Sequence, residues 1–97
     1  MKDDIISLNL TGYKMEGTAQ LTLWGGDRCS IQMRKSIIIS PTDENIIKNI
    51  NDNGFGCESI DRVDAHIYKQ YGGSYYKYAG YVTIVNNRIV DKSIKQY

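Results

Sequence analysis

An α+β domain, one mostly antiparallel sheet of five to six strands with a single helix packed on one face, is predicted by three observations. Apolar and polar residues alternate along most of the 97-residue chain, the mark of half-buried strands. Only the segment from Ser40 to Gly54 carries start, face and stop signals of a helix. Short turns rich in glycine or asparagine separate the strands, as they do between antiparallel neighbours. The expected order is β-β-β-α-β-β with a short last strand, in one domain covering residues 1–97.

The elements follow in order. Ile6, Leu8 and Leu10 alternate with Ser7 and Asn9 in a first strand. Gly12 and Gly17 mark weak points or a turn around Tyr13-Lys14-Met15-Glu16. Ala19, Leu21 and Leu23 share one face of a second strand, with Thr18, Gln20, Thr22 and Trp24 on the other. Gly25-Gly26-Asp27 turns the chain. Cys29, Ile31, Met33, Ile37 and Ile39 keep one period-2 register in a third strand, where a bulge near Arg34-Lys35 lets Lys35 leave the core face.

Ser40 reads as the helix cap and Pro41 as the first helical residue, where its missing N–H is no loss. Asp43 and Glu44 oppose the helix dipole, and Gly54 suits a left-handed stop. Ile46, Ile47 and Ile50 form the apolar stripe. A helix of about three turns is marginal alone in water, so this stripe is expected to lie across the sheet, with Phe55 anchoring its exit.

Val63, Ala65 and Ile67 face the core from a fourth strand, and Asp64, His66 and Tyr68 face away. After Gly72-Gly73-Ser74, a fifth strand is expected to place Tyr76, Tyr78, Val82 and Ile84 on one face. Tyr75, Lys77, Tyr81 and Val85 then take the other. Asn86-Asn87 suits a type I′ turn, whose two central residues need positive φ. Arg88 to Asp91 form a short sixth strand, and the tail 92–97 is expected to fray.

Twelve Lys and Arg against eleven Asp and Glu leave a net charge of +1. That balance excludes a wholesale acidic mimic of DNA and a strongly basic coat for nucleic acid. No apolar run approaches the roughly 18–20 residues of a membrane helix, and no charged-then-apolar signal segment opens the chain. A soluble, cytoplasmic protein without membrane contact is expected, and two cysteines make no disulfide framework.

The chemistry-bearing residues point away from catalysis. His66 is the only histidine, and a Cys–His couple would need Cys29 or Cys57 beside it. Cys29 falls on the core face, Cys57 near the helix exit, and both read as buried small hydrophobes. Zinc needs three or four Cys or His ligands, and Asp52, Asp61 and Asp64 lack the spacing of a calcium loop. Gly54-Phe55-Gly56 follows a helix instead of opening one, the wrong place for a phosphate loop. No enzyme activity, metal or cofactor is expected.

The aromatic content is the unusual feature. Eight tyrosines stand against one phenylalanine and one tryptophan, and six of them lie between Tyr68 and Tyr81. About half of these rings should pack under the helix, while the rest, with Trp24, form a surface. A tyrosine ring buries much area at little rotamer cost, which suits a protein interface. Cross-strand pairing that merely stabilises the hairpin is the plainer explanation. Single-stranded nucleic acid also stacks on such rings, but usually with more positive charge nearby.

Trp24-Gly25-Gly26, the run Asn51-Asp52-Asn53-Gly54-Phe55-Gly56-Cys57-Glu58-Ser59-Ile60, Ile67-Tyr68 and the tyrosine-rich hairpin together resemble small proteins of phages and mobile elements in Firmicutes. Some of these are anti-CRISPR inhibitors, which bind a Cas effector and block DNA or guide loading, or cleavage. The resemblance implies a non-enzymatic inhibitor in a bacterial host cell that occludes a Cas nuclease. Many inhibitors of the PAM-reading site are strongly acidic. This chain is not, which implies a tyrosine-lined or mixed-charge surface instead. The candidate partner-binding residues are Tyr68, Tyr75 and Tyr81 as apolar anchors, Lys69, Lys77 and Arg34 as polar rim, and Trp24 nearby. A small RNA- or single-stranded DNA-binding module is the alternative, and an exposed strand edge would allow a homodimer.

Overall fold

The computed structural model describes residues 12–71 and 75–95. The strand expected at Ile6 to Leu10 lies outside the described residues. Six strands and one helix follow in order: β1 (Tyr13–Thr22), β2 (Arg28–Gln32), β3 (Ser36–Ile38), α1 (Asp43–Asn51), β4 (Ser59–Tyr71), β5 (Tyr75–Val85) and β6 (Arg88–Ile94). They form one antiparallel sheet of order β2-β1-β4-β5-β6, in which β3 continues the line of β2 along β1. With one helix beside it among the described residues, this is the expected α+β fold.

One face of the sheet holds the core. Met15, Ala19 and Leu21 of β1, Val63, Ala65 and Ile67 of β4, and Val82 and Ile84 of β5 are all buried. They alternate along their strands and stand side by side across the pairings Met15–Ile67, Ala19–Val63 and Val63–Ile84. Helix α1 closes this inner face with Ile46 and Ile50, while Ile47 and Phe55 pack at its margin. Full burial of each isoleucine is worth about 1.5–3 kcal/mol, more than a helix of this length gains from its own hydrogen bonds. The Lys92–Asp43 ion pair ties β6 to the first turn of α1.

Several local details differ from the sequence reading. The Tyr13 to Glu16 segment is not a turn, for β1 runs unbroken through it and through Gly17. Gly17 sits where the backbones of β1 and β4 nearly touch: a Cβ there would meet Asp64 O at 2.1 Å. The helix starts two residues later than expected, because Thr42, not Ser40, accepts the capping bond, from Asn45 N–H at 3.2 Å. Asn45 Nδ2 in turn donates to Ser40 O at 3.0 Å and holds the entering chain. Strand β6 continues through Ile94, three residues into the stretch expected to fray.

Two bulges account for the larger corrections. Between the pairs Thr18–Gln32 and Met15–Ser36, the three residues Met33, Arg34 and Lys35 oppose only Glu16 and Gly17. The extra residue releases Lys35 as expected but also inverts the alternation after it. Ile38 therefore turns inward, while Ile37 and Ile39 are exposed. The second bulge lies between the pairs Ile67–Gly80 and Tyr68–Tyr78, and leaves Ala79 without an opposite residue. Tyr76 and Tyr78 consequently share a face with Tyr81 and not with Val82 and Ile84. Asn86 and Asn87 do form the predicted turn, at φ +52 and +65.

Candidate functional site

The face opposite α1 is built from the even-numbered residues of β1, those of β4 from Arg62 onward, and Tyr76, Tyr78, Tyr81 and Thr83 of β5. Pairing sets Lys14, Tyr68 and Tyr78 in one row, with Ile37 of β3 at its end. Glu16, His66, Tyr81 and Ser93 form the next row, and Thr18, Asp64, Thr83 and Asp91 the one after. The large apolar side chains lie on the other face, so this one gathers rings and charges.

The rings touch one another. Tyr68 and Tyr78 meet edge-on with centroids 5.4 Å apart, and His66 lies 5.7 Å from Tyr78. His66 Nδ1 and Tyr78 Oη share a hydrogen bond of 3.0 Å. Lys14 Nζ sits 4.6 Å from the Tyr68 centroid and 4.2 Å from that of Tyr76, a double cation–π contact. Glu16 Oε2 is 3.7 Å from the same ammonium. Tyr68 and Tyr76 are half-buried by these neighbours, whereas Tyr78 and Tyr81 keep 50% and 36% of their surface in solvent.

A charged border flanks the rings. Arg62 donates to both carboxylate oxygens of Asp64, at 2.9 and 3.2 Å, and Thr83 donates to Asp64 at 3.3 Å. Arg62 chiefly, with Thr83 assisting, holds the Asp64 carboxyl below its ordinary value. Asp61 is also lowered, first by the hydroxyl of Thr22 at 2.6 Å and then by that of Ser59. Tyr81 donates to Asp91 at 3.3 Å, and the Asp91 charge pushes the phenol upward, so the hydroxyl keeps its proton at neutral pH. The border thus holds one ion pair, Arg62–Asp64, and two carboxylates, Asp61 and Asp91, bonded by hydroxyl groups. Such a surface reads shape and hydrogen bonding more than net charge.

The predicted partner-binding residues do not all meet. Tyr68 and Tyr81 lie on this outer face. Tyr75 is 67% exposed but belongs by register to the other face, near the hairpin end, with its ring 6.1 Å from Tyr71. Lys69 is buried on the inner face with its ammonium 4.8 Å from the Tyr13 ring, and Lys77 is its cross-strand neighbour. Arg34 is exposed in the bulge between β2 and β3. Trp24 is not on a strand face but in the turn after β1, where Leu23 N–H donates to Asp27 O and Gly26 N–H to Leu23 O.

The outer cluster instead draws in Lys14, His66, Tyr76 and Tyr78, which sequence reasoning did not select. The signal for the last two was Gly80, since a glycine inside a strand often marks a bulge. A Cβ on Gly80 would meet Ser93 O at 1.9 Å.

Elsewhere, Cys29 and Cys57 are half-buried, and Cys57 Sγ donates weakly to Ser59 O at 3.3 Å. Among the described residues, no group of three His, Cys, Asp or Glu side chains is placed to hold a metal ion. No helix among them is long and apolar enough to cross a membrane. Comparison with protein-family models, curated proteins and solved structures gives no match.

Proposed function

We propose that this protein is a non-enzymatic inhibitor that docks on a protein partner through the outer sheet face and acts by steric occlusion. The observation that carries the reading is the contiguous Tyr68–Tyr78–His66–Tyr81 surface on the side of the sheet that α1 leaves open. Rings held by cross-strand neighbours are already ordered, so docking on them requires little further loss of side-chain freedom. The resemblance to phage and mobile-element proteins makes a Cas effector nuclease in a bacterial cytoplasm the partner to test first.

Tyr68, Tyr78 and Tyr81 serve as anchors in this reading, with Arg62, Glu16 and Asp91 at the rim. The test is a purified Cas effector cleaving its target DNA with increasing amounts of this protein. Stoichiometric inhibition is expected, lost in Tyr68→Ala/Tyr81→Ala. Unimpaired cleavage by every effector class tried would overturn the reading.

One observation favours a second reading, as a module for RNA or single-stranded DNA: the Lys14 ammonium held between two tyrosine rings on an open sheet face. Bases stack on such rings and phosphates follow such cations. Against it stand Glu16, Asp64 and Asp91 on the same face. A gel shift with an oligonucleotide that weakens steeply as salt rises would favour nucleic acid over the protein partner.

A further inference from the structure

The second open feature is the sheet edge made by β2 and β3. Among the described residues, β3 pairs with β1 alone. In an antiparallel ladder alternate residues turn both polar groups toward the same neighbour. Met33 N–H donates to Gly17 O, so the odd-numbered residues of β1 face this edge. Gln70 N–H donates to Gly12 O, so the even-numbered ones face β4. Tyr13 and Met15 therefore bond to Ile38 and Ser36, and Ile37 between them presents its own N–H and C=O outward. Unpaired strand edges of this kind accept a further strand.

Three more observations converge there. Ile37 and Ile39 are 54% and 84% exposed, an apolar stretch beside the open backbone. A groove of about 320 Å³ runs between this edge and α1, lined by Ile38, Asn45, Lys48, Asn49 and Asp52 among others. Asn49 lines it with its Oδ1 buried beneath the surface. Lys48 and Asp52 satisfy each other at 2.7 Å, and Asn45 is engaged by Ser40. In the adjoining groove Arg34 and Lys35 stand beside Asn49, and neither is ion-paired among the described residues.

We infer that the β3 edge is a second docking site, which takes an extended, apolar peptide strand carrying acidic residues at one end. Backbone groups of the incoming strand pair with Ile37, its apolar side chains cover Ile37 and Ile39, and its acids meet Arg34 and Lys35. A second copy of this chain fits less well. Antiparallel pairing of two copies about Ile37 sets Ile39 of one beside Lys35 of the other, and the segment from Ser36 to Pro41 offers no acid to either cation. The site adjoins the tyrosine face at Ile37, but its backbone pairing does not depend on the rings.

The experiment is an amide NMR titration of the whole protein with the synthetic peptide Thr-Val-Thr-Val-Thr-Glu-Glu. Its acidic end reaches Arg34 and Lys35 when the strand adds antiparallel. The expected result is movement of the Ser36 to Ile39 amides and slower hydrogen exchange at Ile37. The same peptide ending in Lys-Lys should bind at least about tenfold more weakly, and Arg34→Glu/Lys35→Glu should reverse that preference. Both substitutions are on exposed bulge residues and leave the fold intact. Equal affinity for the two peptides would overturn the proposal, as would shifts confined to the tyrosine face. So would dilution-dependent shifts at Ile37 without peptide, which would assign the edge to a second copy.

Discussion

The two faces of the sheet use the same strands for opposite ends. On the inner face Met15, Ile67, Val63 and Ile84 are shielded from water and held by contact alone. On the outer face Lys14, His66, Tyr68 and Tyr78 hold one another through ring contacts, a cation–π contact and a hydrogen bond, and Tyr81 beside them is held by Asp91, while solvent reaches them. The inner face supplies stability, because apolar burial is worth several kcal/mol per large side chain. The outer face supplies little, because exposed pairs are worth about 1 kcal/mol or less. In the proposed function, that order serves docking.

The comparison can be broken most severely where the faces share a backbone. Gly17→Val places a Cβ about where Asp64 O already lies, so β1 and β4 must separate. Loss of more than about 4 kcal/mol, or of the folded state altogether, is expected in urea denaturation. A near-wild-type midpoint would mean that the strands are not so closely apposed. Ile67→Ala, which empties a fully buried position, should destabilise by about 2–5 kcal/mol in the same measurement. Tyr78→Ala on the other side of the sheet removes two ring contacts and an exposed hydrogen bond, and should lower stability by only about 1 kcal/mol. Equal losses for these two variants would erase the distinction between the faces.

The smallest effect is electrostatic. Because Asp61 titrates below 3.8 when folded, its contribution to stability is complete above that pH and is lost as pH falls through the folded value. Thr22→Val removes the first cause of that depression. The Asp61 carboxyl resonance should then titrate at higher pH, and the acid limb of the stability curve should flatten. An unchanged resonance would show that Ser59 alone sets the charge.

Much of this architecture was legible in the residues. The alternation of Val63, Ala65 and Ile67 against Asp64, His66 and Tyr68 assigned the faces of β4 correctly, and the isoleucines of α1 pointed to the sheet. Asn86-Asn87 fixed the last hairpin through its need for positive φ. The errors of face assignment have one physical source. Period-2 reasoning carries a face assignment along a strand only while pairing is regular, and a single extra residue reverses it. At Met33 to Lys35 the bulge turned Ile37 and Ile39 outward and Ile38 in. At Ala79 it moved Tyr76 and Tyr78 onto the face of Tyr81 and left Tyr75 on the other. The anchors named from sequence were therefore divided between two faces, and Lys14 and His66 joined the cluster through strand neighbours distant in the chain.

The proposed function requires that the outer tyrosines recognise a partner. The most direct measurement compares wild type with Tyr68→Ala/Tyr78→Ala/Tyr81→Ala in inhibition of DNA cleavage by a purified Cas effector, with urea denaturation of both proteins alongside. Anchors of this kind contribute about 2 kcal/mol or more each, so the inhibitory concentration should rise by at least about 100-fold while the variant remains folded. A folded variant that inhibits as well as wild type would contradict the claim.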